Sequence, residues 1–214
     1  MPERFTPEPL RVQAGILLSG CGHYDGTDIQ EAVLCSLALD RAGAKVVALA
    51  PERPQLHVVD HTTGEEMEAP ERSIYLESSR ILHEKTFPLG EFPLETLQAL
   101  VVPGGFGGAK NLMTAFARPG EKRCAHPDAE RAVRHFLDAG KPVGVIGLGD
   151  ILVRRLTGDP LEDPDPGRDP AQVSVDPDRR IVTAPGFKSF RRVAEVAAGI
   201  DSMVDELMRM LVSA

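Results

Sequence analysis

Short, uniformly apolar segments recur along this chain, and most are followed by a glycine-rich turn or an amphipathic segment. Such segments predict strands that are buried on both faces, as in a parallel sheet. They cover residues 12–18, 45–50, 99–102 and 143–146. Two further short apolar segments, 173–175 and 180–183, enclose a turn-like stretch and predict strand, turn and strand.

Segments with the 3.6-residue period of amphipathic helices lie between these strands. The first begins after Asp28, which stands three residues before Glu31 in the spacing of a capping box. Gly43 is a plausible stop for this helix. Further helices are predicted at 73–82, 127–139 and 193–212.

Alternating strands and helices predict one layered α/β domain with a parallel sheet and right-handed crossovers. We assign this domain to residues 11–214, with a flexible N-terminal arm at 1–10. Residues 56–67 form an excursion that could contain a hairpin, and residues 159–170 form an exposed, acidic, proline-rich loop.

The composition narrows the classes of partner. A net charge of −8 and a pI near 5.3 argue against nucleic acid and anionic membranes as partners. No apolar run approaches the length of a membrane span, and the N-terminus has no hydrophobic signal region. The three cysteines are widely spaced and form no disulfide framework, which favours a cytoplasmic location.

The sequence predicts no cofactor. The six histidines show no metal-ligand spacing, so no metal site is predicted, although His61 is retained as a possible polar contact. The glycine runs do not match the dinucleotide-binding or phosphate-loop patterns, so a nucleotide site is weakly supported.

Open α/β sheets bind ligands at the carboxyl ends of their strands. Three loops leave such ends in this chain, at residues 19–28, 103–111 and 147–150. We therefore expect the functional site where these loops meet.

Four residues in or beside these loops have both a structural and a functional interpretation. Glu31 is either a capping-box acid, which the pattern alone favours, or a carboxyl group in the site. Gly104 and Gly105 form a tight turn that could also supply oxyanion-binding N–H groups. Cys21 is either a small packed side chain, the favoured reading, or a thiol activated near a helix start.

Gly147 stands where an apolar strand turns sharply into a helix. In a nucleophile elbow this position holds a serine or cysteine that the bend exposes. Glycine has no side chain, so this elbow has no nucleophile.

Several motifs together resemble the ElbB family, the isoprenoid-biosynthesis glyoxalases of the PfpI-type, class I glutamine amidotransferase-like superfamily. The motifs are SGCGxYDGTxIxEA at 19–32, VDHTxGE at 59–65, PGGFGxAKNL at 103–112, GKPxG at 140–144 and IVTxP at 181–185. They span nearly the whole chain after the N-terminal arm.

The resemblance implies a flavodoxin-like three-layer α/β/α sandwich, homodimeric, with an elbow cysteine beside a glutamate from the first helix. It also implies a small carbonyl ligand, because some relatives convert 2-oxoaldehydes into hydroxy acids without glutathione. Glu31 matches the family glutamate, and Gly104 and Gly105 match the oxyanion-hole glycines. The other predicted binding positions are Gly22, Asn111, Gly147 and Leu148.

Where relatives read Cys-Ile-Ala-Pro at the elbow, this chain reads Gly-Leu-Gly-Asp at 147–150. Three functions remain open. The favoured one is a catalytically impaired member that binds a small molecule or regulates. The second is an enzyme that uses Glu31 with Cys21 or water, and the third is a dimeric scaffold.

Overall fold

The computed structural model describes residues 12–68, 71–83, 85–114, 124–160, 167 and 169–213. The strands are β1 (Gln13–Leu17), β2 (Lys45–Ala50), β3 (Thr86–Pro88), β4 (Ala99–Val102), β5 (Val143–Ile146), β6 (Ser174–Asp176) and β7 (Ile181–Ala184). The helices are α1 (Ile29–Arg41), α2 (Ile74–Ser78), α3 (Gly107–Lys110), α4 (Pro127–Asp138), α5 (Asp150–Thr157), α6 (Gly186–Ser189) and α7 (Val193–Val212).

The seven strands form one sheet in the order β3-β2-β1-β4-β5-β7-β6. All neighbouring pairs are parallel except β6 and β7, which are antiparallel. In the centre, Ile16 of β1 is in register with Ala48 on one side and Val101 on the other. The chain winds outward from β1 in one direction and from β4 in the other, so the switch point lies between these two strands. Ligands of open α/β sheets bind at that point.

Helices cover both faces of the sheet and create two hydrophobic cores. On one face, α1 and α7 pack on the sheet through residues such as Ala32, Leu39 and Ile200. On the other face, α4 and α5 pack through Phe136 and Leu152. This three-layer arrangement confirms the predicted flavodoxin-like α/β fold.

The buried strands were predicted closely. The bounds predicted for β2, β4 and β5 are confirmed, as is the helix at 193–212. The predicted helix at 73–82 is shorter, because Ser73 caps α2 through a bond from the Leu76 N–H and the helix ends at Ser78.

Irregular segments were predicted less well. Residues 56–67 form only a minimal hairpin, in which one antiparallel bridge between Val59 and Glu66 closes the turn. The short elements β3, α3 and α6 were not predicted. The predicted arm at 1–10 lies outside the described residues, as do 161–166 and 168 of the predicted acidic loop.

None of the helices described has both the length and the apolar character that a membrane crossing demands.

Candidate functional site

The loops after β1, β4 and β5 meet at the switch point. Backbone hydrogen bonds join the first two, because Asp28 N–H donates to the Gly104 carbonyl at 2.9 Å and Gly107 N–H donates to the Gly26 carbonyl at 2.8 Å. Gly105 has φ +93°, and a Cβ added there would lie 2.4 Å from the Gly26 carbonyl oxygen. Glycine is therefore required at position 105 for the two loops to approach so closely.

Glu31 is not a capping-box acid. Asp28 does cap α1, because its Oδ1 accepts the N–H groups of Gln30 and Glu31 at 2.9 and 3.1 Å. The reciprocal bond from the Asp28 N–H to the Glu31 carboxylate is replaced by the bond to Gly104. The Glu31 side chain is thus released from the helix end and turns towards the sheet.

The carboxyl group of Glu31 bridges two distant backbone segments. Its Oε2 accepts the Gly104 N–H at 2.7 Å, and its Oε1 accepts the Phe187 N–H at 2.8 Å. Only 2% of the residue is exposed. Glu31 therefore ties the start of α1 to the loop after β4 and to α6.

Three glycines lie around this carboxyl group, and the space for a side chain differs among them. A Cβ at Gly104 would lie 2.4 Å from Oε2, and a Cβ at Gly186 would lie 2.3 Å from Oε1. At Gly147 the corresponding distance to Oε1 is 3.0 Å. The first two positions have no room for a side chain while Glu31 stays in place, whereas Gly147 is at the limit.

Burial governs the protonation of Glu31. Loss of hydration, followed by the nearby negative charge of Asp28, raises the pKa of Glu31 to about 8. The N–H groups of Phe187 and Gly104 lower it, but less than burial raises it. A pKa of about 8 leaves Glu31 mostly protonated at pH 7, so that it can donate a proton.

Gly147 has the elbow geometry that the sequence predicted. It follows β5 directly, has φ +52°, and begins a short 3₁₀ turn, Gly147–Gly149, that leads into α5. A residue here would direct its side chain at Glu31, as the distance to Oε1 shows. Leu148 is half-buried, and its backbone nitrogen lies 3.0 Å from the position of a Cβ on Gly104.

The predicted oxyanion hole is modified by Glu31. The Gly104 N–H, which the sequence assigned to an oxyanion, donates to the Glu31 carboxyl group instead. Gly105 contributes the sharp turn after β4. An oxyanion could therefore use the Gly104 N–H only if Glu31 released it.

Cys21 does not have the environment of an activated thiol. Burial, together with the negative charge of Glu77, raises its pKa, whereas an activated thiolate needs a lowered one. Its neighbour Gly20 donates its N–H to Ser78 Oγ at 2.9 Å, which fixes this part of the loop against α2. The preferred interpretation, a small packed side chain, agrees with this environment, and an activated Cys21 does not.

Asn111 organises the loops. Its Nδ2 donates to the carbonyl oxygens of Ser19 and Asp25 at 2.7 and 2.8 Å, and its Oδ1 accepts the Leu56 N–H at 3.0 Å. The residue is buried. Its amide is thus used to hold three loop segments together, so Asn111 positions the site and does not present a free amide to a ligand.

Gly22 and His61 lie together at the wall of a cavity of about 380 Å³. A Cβ on Gly22 would lie 2.4 Å from His61 Nε2, so only glycine lets the imidazole pack against this loop. The polar contact expected of His61 is present, because its Nδ1 lies 3.1 Å from the Val59 carbonyl oxygen.

Phe187, Gly186 and Arg191 complete this region but carry no signal in the sequence. Phe187 reaches Glu31 only through its backbone N–H, and 156 positions separate the two residues. The motif IVTxP at 181–185 was the nearest available indication. In the described ranges, no group of three His, Cys, Asp or Glu side chains is arranged to hold a metal ion.

Comparisons with known proteins cover nearly the whole chain. It is 33% identical to the ES1 protein homolog, mitochondrial, of Rattus norvegicus, over 96% of this chain and 86% of that protein. It is also 33% identical to the human glutamine amidotransferase-like class 1 domain-containing protein 3, mitochondrial, over 96% of this chain and 85% of that protein. No family model matches the chain.

The fold is also similar to that of a solved structure. It is an isoprenoid biosynthesis protein with an amidotransferase-like domain from Ehrlichia chaffeensis, with 29% identity and a TM-score of 0.84. The alignment covers 92% of this chain and 99% of that one. The predicted superfamily is therefore confirmed.

The prediction of a cytoplasmic location is wrong. Both of the relatives named above carry mitochondrial in their names, which contradicts it. The prediction rested on cysteine usage, and free cysteines indicate only a reducing environment, not which compartment provides it.

The raised pKa of Glu31 predicts how stability depends on pH. Folding holds this proton more tightly than the unfolded chain, whose carboxyl group has the ordinary value near 4.5. The stabilisation from neutral Glu31 is thus complete below pH 4.5 and is lost as pH rises through about 8. Glu31→Gln imitates the neutral acid and should remove this dependence.

Urea unfolding of both proteins between pH 5 and 9 measures the effect. The variant should gain stability relative to the native protein by up to about 1.4 kcal/mol per pH unit below pH 8, and then no further. A difference that stays constant, or that falls as pH rises, would show that Glu31 is ionised in the folded protein.

Proposed function

Because the chain belongs to the ES1 family of class I glutamine amidotransferase-like proteins, we propose that it is a small-molecule-binding member in which thiol-dependent catalysis is impaired. The ligand in this proposal is a small carbonyl compound, and binding serves a regulatory role. An ElbB-like ancestry is part of the proposal. The sequence motifs and the name of the Ehrlichia chaffeensis protein support that ancestry.

The observation that carries the proposal is glycine at the elbow. Position 147 has the backbone geometry of a nucleophile position and lies beside Glu31, yet it provides no reacting atom. A cofactor-free glyoxalase needs a thiolate to add to the aldehyde and a base to move the proton. This site retains a group for proton transfer without the nucleophile.

An enzyme that uses Glu31 with water is the alternative function. The observation in its favour is that Glu31 is neutral at pH 7, since a buried carboxylic acid can serve as a general acid. The raised pKa of Cys21 makes a thiol-based version of this alternative less favourable. Glu31 is also nearly inaccessible and holds two backbone N–H groups, which supports a positioning role instead.

We also propose that the protein is a homodimer, which serves the binding function and is the whole function in the scaffold alternative. Three apolar residues, Ile29, Val33 and Leu37, form a stripe at helical spacing on the outer side of α1 and are 41–44% exposed. An exposed apolar stripe of this kind favours association. The inner side of the same helix packs against α7.

Restoring the thiol tests the impaired-enzyme proposal. The native protein should convert no methylglyoxal above a Glu31→Gln control. Gly147→Cys should gain measurable turnover, because its thiol would lie beside Glu31, whereas Gly147→Ala adds the same Cβ without the sulfur and should remain inactive. Formation of lactate measures the reaction.

Two results would contradict parts of this account. Turnover by the native protein above the Glu31→Gln control would show that catalysis survives without an elbow thiol. A folded but inactive Gly147→Cys variant would show that more than the nucleophile has changed. A side chain at φ +52° adds roughly 1–2 kcal/mol of strain. Circular dichroism therefore checks that each Gly147 variant is folded.

The dimer proposal predicts a mass of about twice 23.1 kDa by size exclusion with light scattering. Val33→Glu places a charge in the middle of the α1 stripe and should shift the protein to a monomer. Leu76→Glu, at another exposed apolar position, is the matched control and should leave the mass unchanged. A monomeric native protein, or a dimer unaffected by Val33→Glu, would contradict the proposal.

A further inference from the structure

The 380 Å³ cavity lies beside one of the two backbone anchors of Glu31, the N–H of Phe187. On one side it is lined by the start of α1, including Asp28 and Gln30, which precede Glu31. On the other side it is lined by Phe187, whose N–H binds Glu31 Oε1. Its volume is at the lower end of the range for small-molecule sites, so it suits a ligand of metabolite size.

Two potential hydrogen-bond donors line this cavity without a protein partner. Arg191 is exposed at the rim of the cavity, and within the part of the chain that the structure describes its side chain forms no ion pair or hydrogen bond. The next residue, Arg192, faces Glu195 at 3.8 Å instead. His23 is also exposed; its ring packs on Tyr24, with ring centroids 4.0 Å apart, and its ring nitrogens form no hydrogen bond with the described residues.

The second imidazole in the cavity wall, that of His61, already has hydrogen-bond partners within the protein. Its Nδ1 lies 3.1 Å from the Val59 carbonyl oxygen, and its Nε2 accepts the Tyr24 N–H at 3.4 Å. Asp25 Oδ1, which is buried and has no hydrogen-bond partner among the described residues, lies 3.8 Å from that Nε2. These contacts hold the ring in place and leave Arg191 and His23 as the groups that can meet a ligand.

The cavity wall also contains one carboxylate, that of Asp28, which does not cancel the positive charge of Arg191. Asp28 Oδ1 accepts two backbone N–H groups at the N-terminus of α1, where the helix dipole also favours negative charge. These contacts offset part of its charge within the helix. Glu31 follows Gln30 but does not line the cavity, and its pKa of about 8 leaves it mostly uncharged at pH 7.

We propose that this cavity binds a small carboxylate, with the ligand's carboxylate paired to the Arg191 guanidinium and hydrogen-bonded by His23. The inference rests on the proposed small-molecule function and narrows its ligand to an anion. Guanidinium matches carboxylate geometry through two parallel N–H donors, which makes Arg191 the group that sets both affinity and orientation. The net charge of −8 repels anions from most of the protein. An arginine without an ion-pair partner in the cavity wall provides a local positive charge that can attract one.

Isothermal titration calorimetry with pyruvate tests the proposal, and pyruvamide serves as an uncharged ligand of the same shape. The native protein should bind pyruvate and should bind pyruvamide at least tenfold more weakly. Arg191→Gln should weaken pyruvate binding roughly tenfold to a hundredfold, as expected for a charge-assisted hydrogen bond. Arg192→Gln changes the neighbouring arginine by the same charge and should leave affinity unchanged.

The other outcomes overturn the proposal in distinguishable ways. Equal pyruvate affinity in the Arg191 and Arg192 variants would place any anion elsewhere. Binding of pyruvamide but not pyruvate would reject the anion and leave the small-molecule function standing, whereas binding of neither would remove support from both. If inorganic phosphate binds as tightly as pyruvate, with the same dependence on Arg191, the site is selective for small anions in general and the proposed preference for a carboxylate is wrong.

Discussion

The Glu31 carboxyl group is buried at the switch point of the sheet without a cationic partner in the described ranges, and the surrounding backbone is arranged around it. An ionised carboxylate in such a place is costly, so the group retains its proton instead. The two backbone N–H groups that it accepts come from the loop after β4 and from α6. One side chain thereby joins the centre of the sheet to a segment from the far end of the chain.

The glycines of the site follow from this contact. Gly104 and Gly186 lie so close to the carboxyl oxygens that a side chain at either would displace Glu31. Gly105 allows a second close approach, between the loops after β1 and β4. Two glycine-rich motifs that first indicated tight turns thus have a common cause, which is backbone packed against backbone and against one acid.

Gly147 belongs to the same group but differs in kind. Its Cβ position lies 3.0 Å from Glu31 Oε1, which is tight for a carbon atom but compatible with a small adjustment of a side chain. The elbow therefore keeps the backbone shape of a nucleophile position while Glu31 remains in place. This combination supports the proposal that the protein binds a small molecule without thiol-dependent catalysis.

Much of the fold could be predicted because buried parallel strands are uniformly apolar, and 45–50, 99–102 and 143–146 have that pattern. The three loops of the site followed from the carboxyl ends of these strands. The residue pattern alone could not predict the orientation of Glu31, because capping-box spacing is the same whether the acid turns back to its own helix or across to the sheet. Only the family resemblance indicated a glutamate beside the elbow. The contributions of Phe187 and Arg191 were missed because one acts through its backbone and the other depends on tertiary placement.

The most direct test of this account is the infrared spectrum of the folded protein as a function of pH. A protonated carboxylic acid has a carbonyl band that is separate from that of a carboxylate, and Glu31→Gln identifies which band belongs to Glu31. The account predicts a protonated band at pH 7 that is missing in the variant and disappears as pH rises through about 8. A Glu31 that is already ionised at pH 6 in the folded protein would contradict it.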